Sequence, residues 1–365
     1  MLSLKPDYEA SAQRIAAFWE REIIDRAVVQ FALYKPEEEW IPLPASRHST
    51  PAERWQDAQY QAEWALANLS NQLFLGDSLP VAWPNLGPDV LAGFYGCPLQ
   101  FGNYGTSWSK PILHTWEAAD EVAFDWNSPF LHKVDQMTGA LLEVGKGLFL
   151  TGLTDLHPGG DCLAALRGPQ NLAMDLLICP EQVKALLVRI EADFTAVYDR
   201  FYVRLRAAGL PITTWTPLLC DGKYYLPSND FSIMISRRMF EEFFLPGLIG
   251  ECQFLDRSLY HLDGPGALRH LDCLLHIPEL DAVQFVPTVG DAAFAKWAGV
   301  YQRIQDAGKG VQVTCEMSEI DQVMQALRPE GVYLVVNDVQ SRDMADTLLR
   351  KLKRWSLNGY RQCIR

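Results

Sequence analysis

Three stretches near the C-terminus, Ala282-Val283-Gln284-Phe285-Val286, Val311-Gln312-Val313-Thr314 and Val332-Tyr333-Leu334-Val335-Val336, are short runs rich in β-branched residues, and helical periodicity fills the chain between them. The same alternation extends backwards. It predicts strands at 28–33, 79–83, 148–153, 212–215 and 258–261 as well as at 282–286, 311–314 and 332–336. Helices are predicted over 8–24, 53–73 and 181–208, the last stopped by Gly209-Leu210-Pro211. Ser318-Glu319-Ile320-Asp321 reads as a capping box, and Ser341 with Asp343 opens a helix that closes on Asn358-Gly359. Strands alternating with helices imply right-handed crossovers and a parallel sheet. Eight strands in 365 residues predict an α/β chain with a single (β/α)8 TIM barrel, one domain over 1–365, with residues 1–25 as an N-terminal helical extension packed on the barrel.

Composition narrows the function. Lysine plus arginine number 32 and aspartate plus glutamate 45, a net charge of −13, which argues against wrapping a nucleic-acid backbone or an anionic membrane surface. Apolar residues make up 48% of the chain, enough for a packed core, and no stretch of about 18 apolar residues is present to span a bilayer. The N-terminus lacks the pattern of a secretory signal, and the eight cysteines are irregularly spaced with no C-x-x-C, so a cytoplasmic protein with reduced thiols is expected. No G-x-G-x-x-G or G-x-x-x-x-G-K-[ST] supports nucleotide binding.

A barrel carries its chemistry on the loops that follow its strands. Asp77 lies among apolar residues in Phe74-Leu75-Gly76-Asp77-Ser78-Leu79, the setting of a general acid or of an anchor for a cationic group, and Trp83 and Asn85 follow on the mouth. The loop Thr154-Asp155-Leu156-His157-Pro158-Gly159-Gly160-Asp161 offers His157 as proton shuttle or ligand, with Asp155 beside it and Asp161 as a helix cap. Arg167, further into that helix, is expected to pair with an acid. Tyr224 and Tyr225 supply an aromatic wall, Asn229 and Asp230 follow, and Ser236 reads as an N-cap. His261 and Asp263, two residues apart on a strand, face the same side. That spacing suits a metal pair, an acid–base pair or a structural contact, and Cys315, Glu316, Asn337 and Asp338 are further donors at the mouth.

These residues resemble the uroporphyrinogen decarboxylase superfamily, which holds the haem-pathway decarboxylase and the cobalamin-dependent methyltransferases. The resemblance runs from about Arg26 to the C-terminus. It rests on Phe74-Leu75-Gly76-Asp77, on Arg167-Gly168-Pro169-Gln170-Asn171 with Asp175 and Pro180-Glu181-Gln182-Val183, on Ser236 with Phe240-Glu241-Glu242-Phe243-Phe244-Leu245-Pro246, and on Tyr260-His261-Leu262-Asp263-Gly264. It implies a TIM barrel, a homodimer, and for Asp77 the position that binds pyrrole nitrogens in the decarboxylases. The chain departs from the decarboxylase pattern at Val28-Val29-Gln30-Phe31-Ala32-Leu33-Tyr34-Lys35, where the arginine-bearing R-Q-A-G-R loop is absent, so a highly anionic porphyrinogen is a poor substrate. The methyltransferases hold zinc with H-x-C and a later cysteine. Here His261 is kept, Asp263 replaces the first cysteine, and the last strand ends on Asn337-Asp338.

The resemblance therefore implies a divergent member on the methyltransferase side, a corrinoid-linked enzyme acting on a small methylated substrate. Asp77, His157, His261 and Asp230 are expected to be catalytic, and Trp83, Asn85, Asp155, Tyr225 and Asn229 to bind substrate. His261, Asp263 and Asp338 would hold a divalent metal such as zinc, and a partner protein would carry the corrinoid. The alternatives are a metal-free decarboxylase or lyase on a small carboxylate and a non-catalytic ligand-binding barrel.

Overall fold

The computed structural model describes residues 2–102, 106–288 and 290–363. Eight strands run parallel to a neighbour: β1 (Val28–Gln30), β2 (Val81–Ala82), β3 (Leu150–Thr151), β4 (Tyr224–Tyr225), β5 (Arg257–Asp263), β6 (Ala282–Val286), β7 (Gly310–Cys315) and β8 (Val332–Val336). Six of them form one curled sheet in the order β1-β8-β7-β6-β5-β4, while β2 and β3 form a separate pair. A short antiparallel pair, Leu99–Phe101 with Ser107–Ser109, lies outside both. The predicted closed eight-stranded barrel is thus corrected to a half-barrel plus a two-stranded pair, an arrangement consistent with a TIM-like fold. Single bonds rather than ladders span the seams: Asp77 N–H to Val29 O at 2.8 Å, and Leu153 N–H to Thr213 O at 2.8 Å.

Seven of the predicted strands overlap observed ones. The exception is 212–215, where Ile212 exchanges its backbone bonds with Cys220 at 2.8 and 3.0 Å in an isolated antiparallel bridge. The sheet takes Tyr224–Tyr225 as its edge instead. The capping box also moves: it closes between Glu316 and Glu319, not from Ser318. The last helix, Arg342–Cys363, runs through Asn358-Gly359 rather than stopping there. No helix among the described residues is long and apolar enough to cross a membrane.

The N-terminal helix α1 (Tyr8–Trp19) seals the end of the sheet opposite the site. Ile15, Phe18 and Trp19, spaced three and four apart, form its buried stripe. Phe18 lies edge-on to Tyr333 near the start of β8, and Trp19 packs on Tyr224 at the start of β4. Trp19 Nε1 also donates to Leu219 O at 2.9 Å. β7 begins with glycine because a Cβ on Gly310 would stand 3.1 Å from the Phe18 ring.

Asp77 belongs to this closed end. It is fully buried, accepts the Val29 N–H at 3.0 Å, and is paired with Arg26, which precedes β1, and with Arg14 of α1 at 3.2 Å. Arg14 also holds Asp25 at 2.6 Å. The structure thus removes Asp77 from the mouth, contrary to its expected catalytic place. It precedes β2 instead of following it, and its charge is neutralised by the plug.

Cutting this pair leaves a buried guanidinium without its counter-charge. Asp77→Ala is expected to cost about 3–5 kcal/mol in chemical denaturation. A loss under 1 kcal/mol would refute the structural role.

Candidate functional site

The loops after β3 and β4 and the strand β5 converge. The β3 loop must turn sharply into helix α2 (Gly159–Arg167), and two glycines allow it. Gly159 has φ +56°, and a Cβ on Gly160 would lie 2.6 Å from Asn229 Oδ1. Asn229 is therefore a buried packing partner of the turn. Asp161, in the first turn of α2, accepts the N–H groups of Asp230 at 3.1 Å and Phe231 at 2.9 Å and the Ser228 hydroxyl at 3.2 Å. It fastens the β4 loop to the β3 loop, a larger role than the helix cap expected of it.

His157 sits between two carboxylates. Its Nε2 is 3.1 Å from Asp155, and its Nδ1 is 3.6 Å from Asp161 and 2.8 Å from the Ser228 hydroxyl. Burial pushes the imidazole pKa down, but Asp155 and Asp161 outweigh it and hold it well above 6.5, so the ring is an imidazolium. Burial opposes ionisation of Asp161, yet His157 and the two backbone N–H groups hold its pKa below the usual value. Asp155 is fixed in turn by Trp215 Nε1 at 3.1 Å. The Tyr225 hydroxyl is buried against Leu156 N–H and Thr154 O, so Tyr225 shapes the loop from beneath.

Asp230 stands between this group and a second one. His157, Asp161 and Asp230 present ligand atoms within 4.8 Å of one another, and so do Asp230, His261 and Asp263. Burial first, and then the neighbouring Asp161, push the Asp230 carboxyl up to about 6, against the pull of His261 and His157. Its Oδ1 is buried without a hydrogen-bond partner among the described residues. His261 is locked by the sheet. Its Nδ1 lies 2.5 Å from Gln284 Oε1, and the Gln284 amide donates to Gln312 Oε1 at 2.9 Å. Because that amide nitrogen is committed to Gln312, the Gln284 oxygen must accept, so Nδ1 carries the proton and Nε2 is left available. Trp215 packs edge-on to His261 at 5.4 Å, joining the two groups through its bond to Asp155.

A cavity of about 420 Å³ opens beside His157, Asp161 and Asp230, walled by Phe231, Ile233 and Met234. A second, of about 290 Å³, lies over the sheet between Trp215 and the amides of Gln30, Gln284 and Gln312. Among the described residues, neither is lined by lysine or arginine.

The sequence-predicted residues divide. His157, Asp155, Asp230, His261 and Asp263 come together, with Asn229 and Tyr225 as supports. Trp83 and Asn85 line a different cavity, beside Trp64 and Met137. Asp338 accepts the Met317 N–H at 2.7 Å and caps that turn, and Asp230 is the carboxylate that stands beside His261 and Asp263. Arg167 pairs with Asp175 at 2.6 Å, and Ser236 caps its helix, both as expected. Trp215, Ser228, Gln284 and Gln312 went unnoticed. A signal existed for the amides: a glutamine follows valine inside three otherwise apolar strands, at Gln30, Gln284 and Gln312.

The donor set can be tested against a metal. Two carboxylates, one of them with an unpaired buried oxygen, and an imidazole oriented by an amide fit a divalent cation with open positions. They do not reproduce a thiolate zinc site. No cysteine enters either group among the described residues, and burial pushes the thiol of Cys315, at the end of β7, up to about 12.

The site and sheet define a TIM-like α/β chain with a carboxylate–imidazole centre. No family model matches the chain, and no curated protein matches it. Among solved structures it is similar to a methyltransferase from Methanosarcina mazei, with a TM-score of 0.61 and 11% identity over 94% of this chain and 98% of that one. At that identity the likeness concerns the fold.

The shifted groups predict opposite pH effects in metal-free protein. An unfolded Asp230 ionises near 3.8 and the folded one near 6, so this group removes stability as pH rises through that window. Asp230→Asn is expected to raise stability at pH 8 by about 2 kcal/mol, allowing for screening at a half-buried group, with no gain below pH ~4. His157, with a raised pKa, contributes stability that is present below about 6.5 and lost as pH rises through its folded value. The loss in His157→Gln should therefore be greatest at low pH. Denaturation curves across pH check both signs.

Proposed function

We propose that this chain is a methyltransferase that demethylates a small molecule at the open end of the sheet and passes the methyl group to a corrinoid on a partner protein. The observation that carries the reading is Asp230, the carboxylate common to the His157–Asp161 and His261–Asp263 groups. It brings a proton-holding group and a cation-holding group against the same space. The fold likeness to a methyltransferase supports the same class.

Demethylation breaks the bond between the methyl carbon and a heteroatom, and the electron pair remains on the heteroatom, which then needs a proton. His157 is placed to supply it, since Asp155 and Asp161 keep its ring protonated, and the Ser228 hydroxyl beside Nδ1 gives the proton an exit. Asp230, His261 and Asp263 would hold a divalent cation, which when bound would polarise the heteroatom, while the corrinoid would accept the methyl group. Gln284 keeps His261 in the tautomer that leaves Nε2 for that cation. Phe231, Ile233 and Met234 give that space an apolar wall on one side.

A metal-free decarboxylase is the second reading. The Asp230 carboxyl, with a pKa of about 6, favours it as an acid able to protonate a carbanion. Against it, neither cavity offers, among the described residues, a lysine or arginine to bind a substrate carboxylate.

Metal analysis of purified protein is expected to find about one equivalent of a divalent ion, lost in His261→Ala and Asp230→Asn. Gln284→Ala should weaken its affinity about 10–100-fold. Methylated thiols, amines and ethers, supplied with a corrinoid acceptor, are expected to include one that the protein demethylates and His261→Ala does not. Failure with all of them would overturn the reading.

A further inference from the structure

A cleft of about 550 Å³ lies on the outer side of the fold, between helix α3 (Pro180–Ala207) and helix α4 (Leu245–Phe254). Its walls are apolar, with Leu187 and Val188 from one side and Phe243 and Phe244 from the other. Its lining also includes three acids, Glu191, Glu242 and Glu251, of which Glu242 is already paired with Lys184. The turn that enters α4, Phe240–Phe244, is a wide π-helical one, a feature that often accompanies functional sites.

The acids are set in place by glycines. A Cβ on Gly247 would stand 2.7 Å from Glu191 Oε1, and one on Gly159 would stand 3.0 Å from the same atom. Gly247 and Glu251 are four residues apart in α4 and share a face, so Glu251 lies on the side that receives Glu191. Glu251 is 97% buried by its 3% exposure, and its Oε2 has no hydrogen-bond partner among the described residues. The lysine of the lining, Lys184, is committed to Glu242 at 2.9 Å. A buried carboxyl oxygen without a partner, next to a second carboxyl, is an unfavourable arrangement that a donor from outside would relieve. Burial raises both acids, Glu191 to about 7, and the neighbouring Glu191 raises Glu251 further.

We propose that this cleft is a second ligand site, separate from the mouth, which takes a small organic cation: an ammonium group seated between Glu191 and Glu251 on an apolar body packed against Leu187, Val188, Phe243 and Phe244. An ammonium supplies three donors and the missing positive charge. A neutral hydroxyl of the same shape supplies one donor and no charge. The site does not depend on the methyltransferase reading. Glu251 does lie within electrostatic reach of Asp161 and His157, so a cation bound here acts on the same charges that hold the mouth together.

The test is equilibrium binding of benzylammonium and benzyl alcohol to the full chain by calorimetry. Benzylammonium is expected to bind about tenfold or more tighter than the alcohol. Glu191→Gln and Glu251→Gln should each abolish that preference, while Asp263→Asn at the mouth should leave it unchanged. Gly250→Leu guards against variants that fail to fold. A Cβ at Gly250 meets nothing within 4 Å, so leucine is accommodated at a position that lines the cleft and should block binding with the melting temperature retained. Equal binding of the two probes, or a preference removed only by Asp263→Asn, would overturn the proposal.

Discussion

Asp161 holds the open end of this molecule together. One carboxylate receives two backbone N–H groups and a hydroxyl from the β4 loop and faces the imidazolium of the β3 loop. Two loops that share no ladder thereby become one rigid unit. The geometry has a consequence for charge. Burial first, and then the ionised and fully engaged Asp161 beside it, make Asp230 the group that resists ionisation. Burial next to a like charge thus divides two chemically identical side chains into a fixed anchor and a responsive one.

The two ends of the sheet treat buried charge differently. At the closed end Asp77 meets two arginines, and the plug helix is part of its solution. At the open end the acids face histidines, and the cavities are lined by no lysine or arginine among the described residues. Histidine can lose its proton and arginine cannot. The closed end is accordingly fixed, while the open end can exchange protons or accept an ion.

Most of the strand pattern was legible because β-branched runs bounded by turn residues report burial on both faces of a parallel sheet. Local signals also placed Ser236, the Arg167 pair and the His261–Asp263 alternation. Failures came where tertiary contacts decide. Asp77 reads as a mouth residue unless one knows that Arg14, 63 residues earlier, arrives on a helix that closes the other end. Asp338 reads as a ligand until the Met317 N–H claims it. Asp230 and His261 lie 31 positions apart, and only the bridge between Ser228 and His261 brings their loops into register. The strand at 212–215 was misplaced because a β-branched run says nothing about whether its backbone finds a ladder partner.

The amides inside the sheet complete the argument. Gln30, Gln284 and Gln312 are each buried in strands that would pack more simply with valine or leucine, and buried amides are tolerated only when satisfied. They are satisfied: Tyr333 donates to Gln30 at 2.7 Å, Gln30 donates to Pro217 O at 2.6 Å, and Gln284 links Gln312 to His261. Gln30 is satisfied on its own, whereas the chain of donors through Gln284 to Gln312 starts on one nitrogen of one imidazole, the Nδ1–H of His261. Its structural cost makes sense if the orientation of His261 matters, because packing alone would hold the ring without choosing its tautomer. The carboxylates set the charge of the site, and these amides set which atom of His261 faces it.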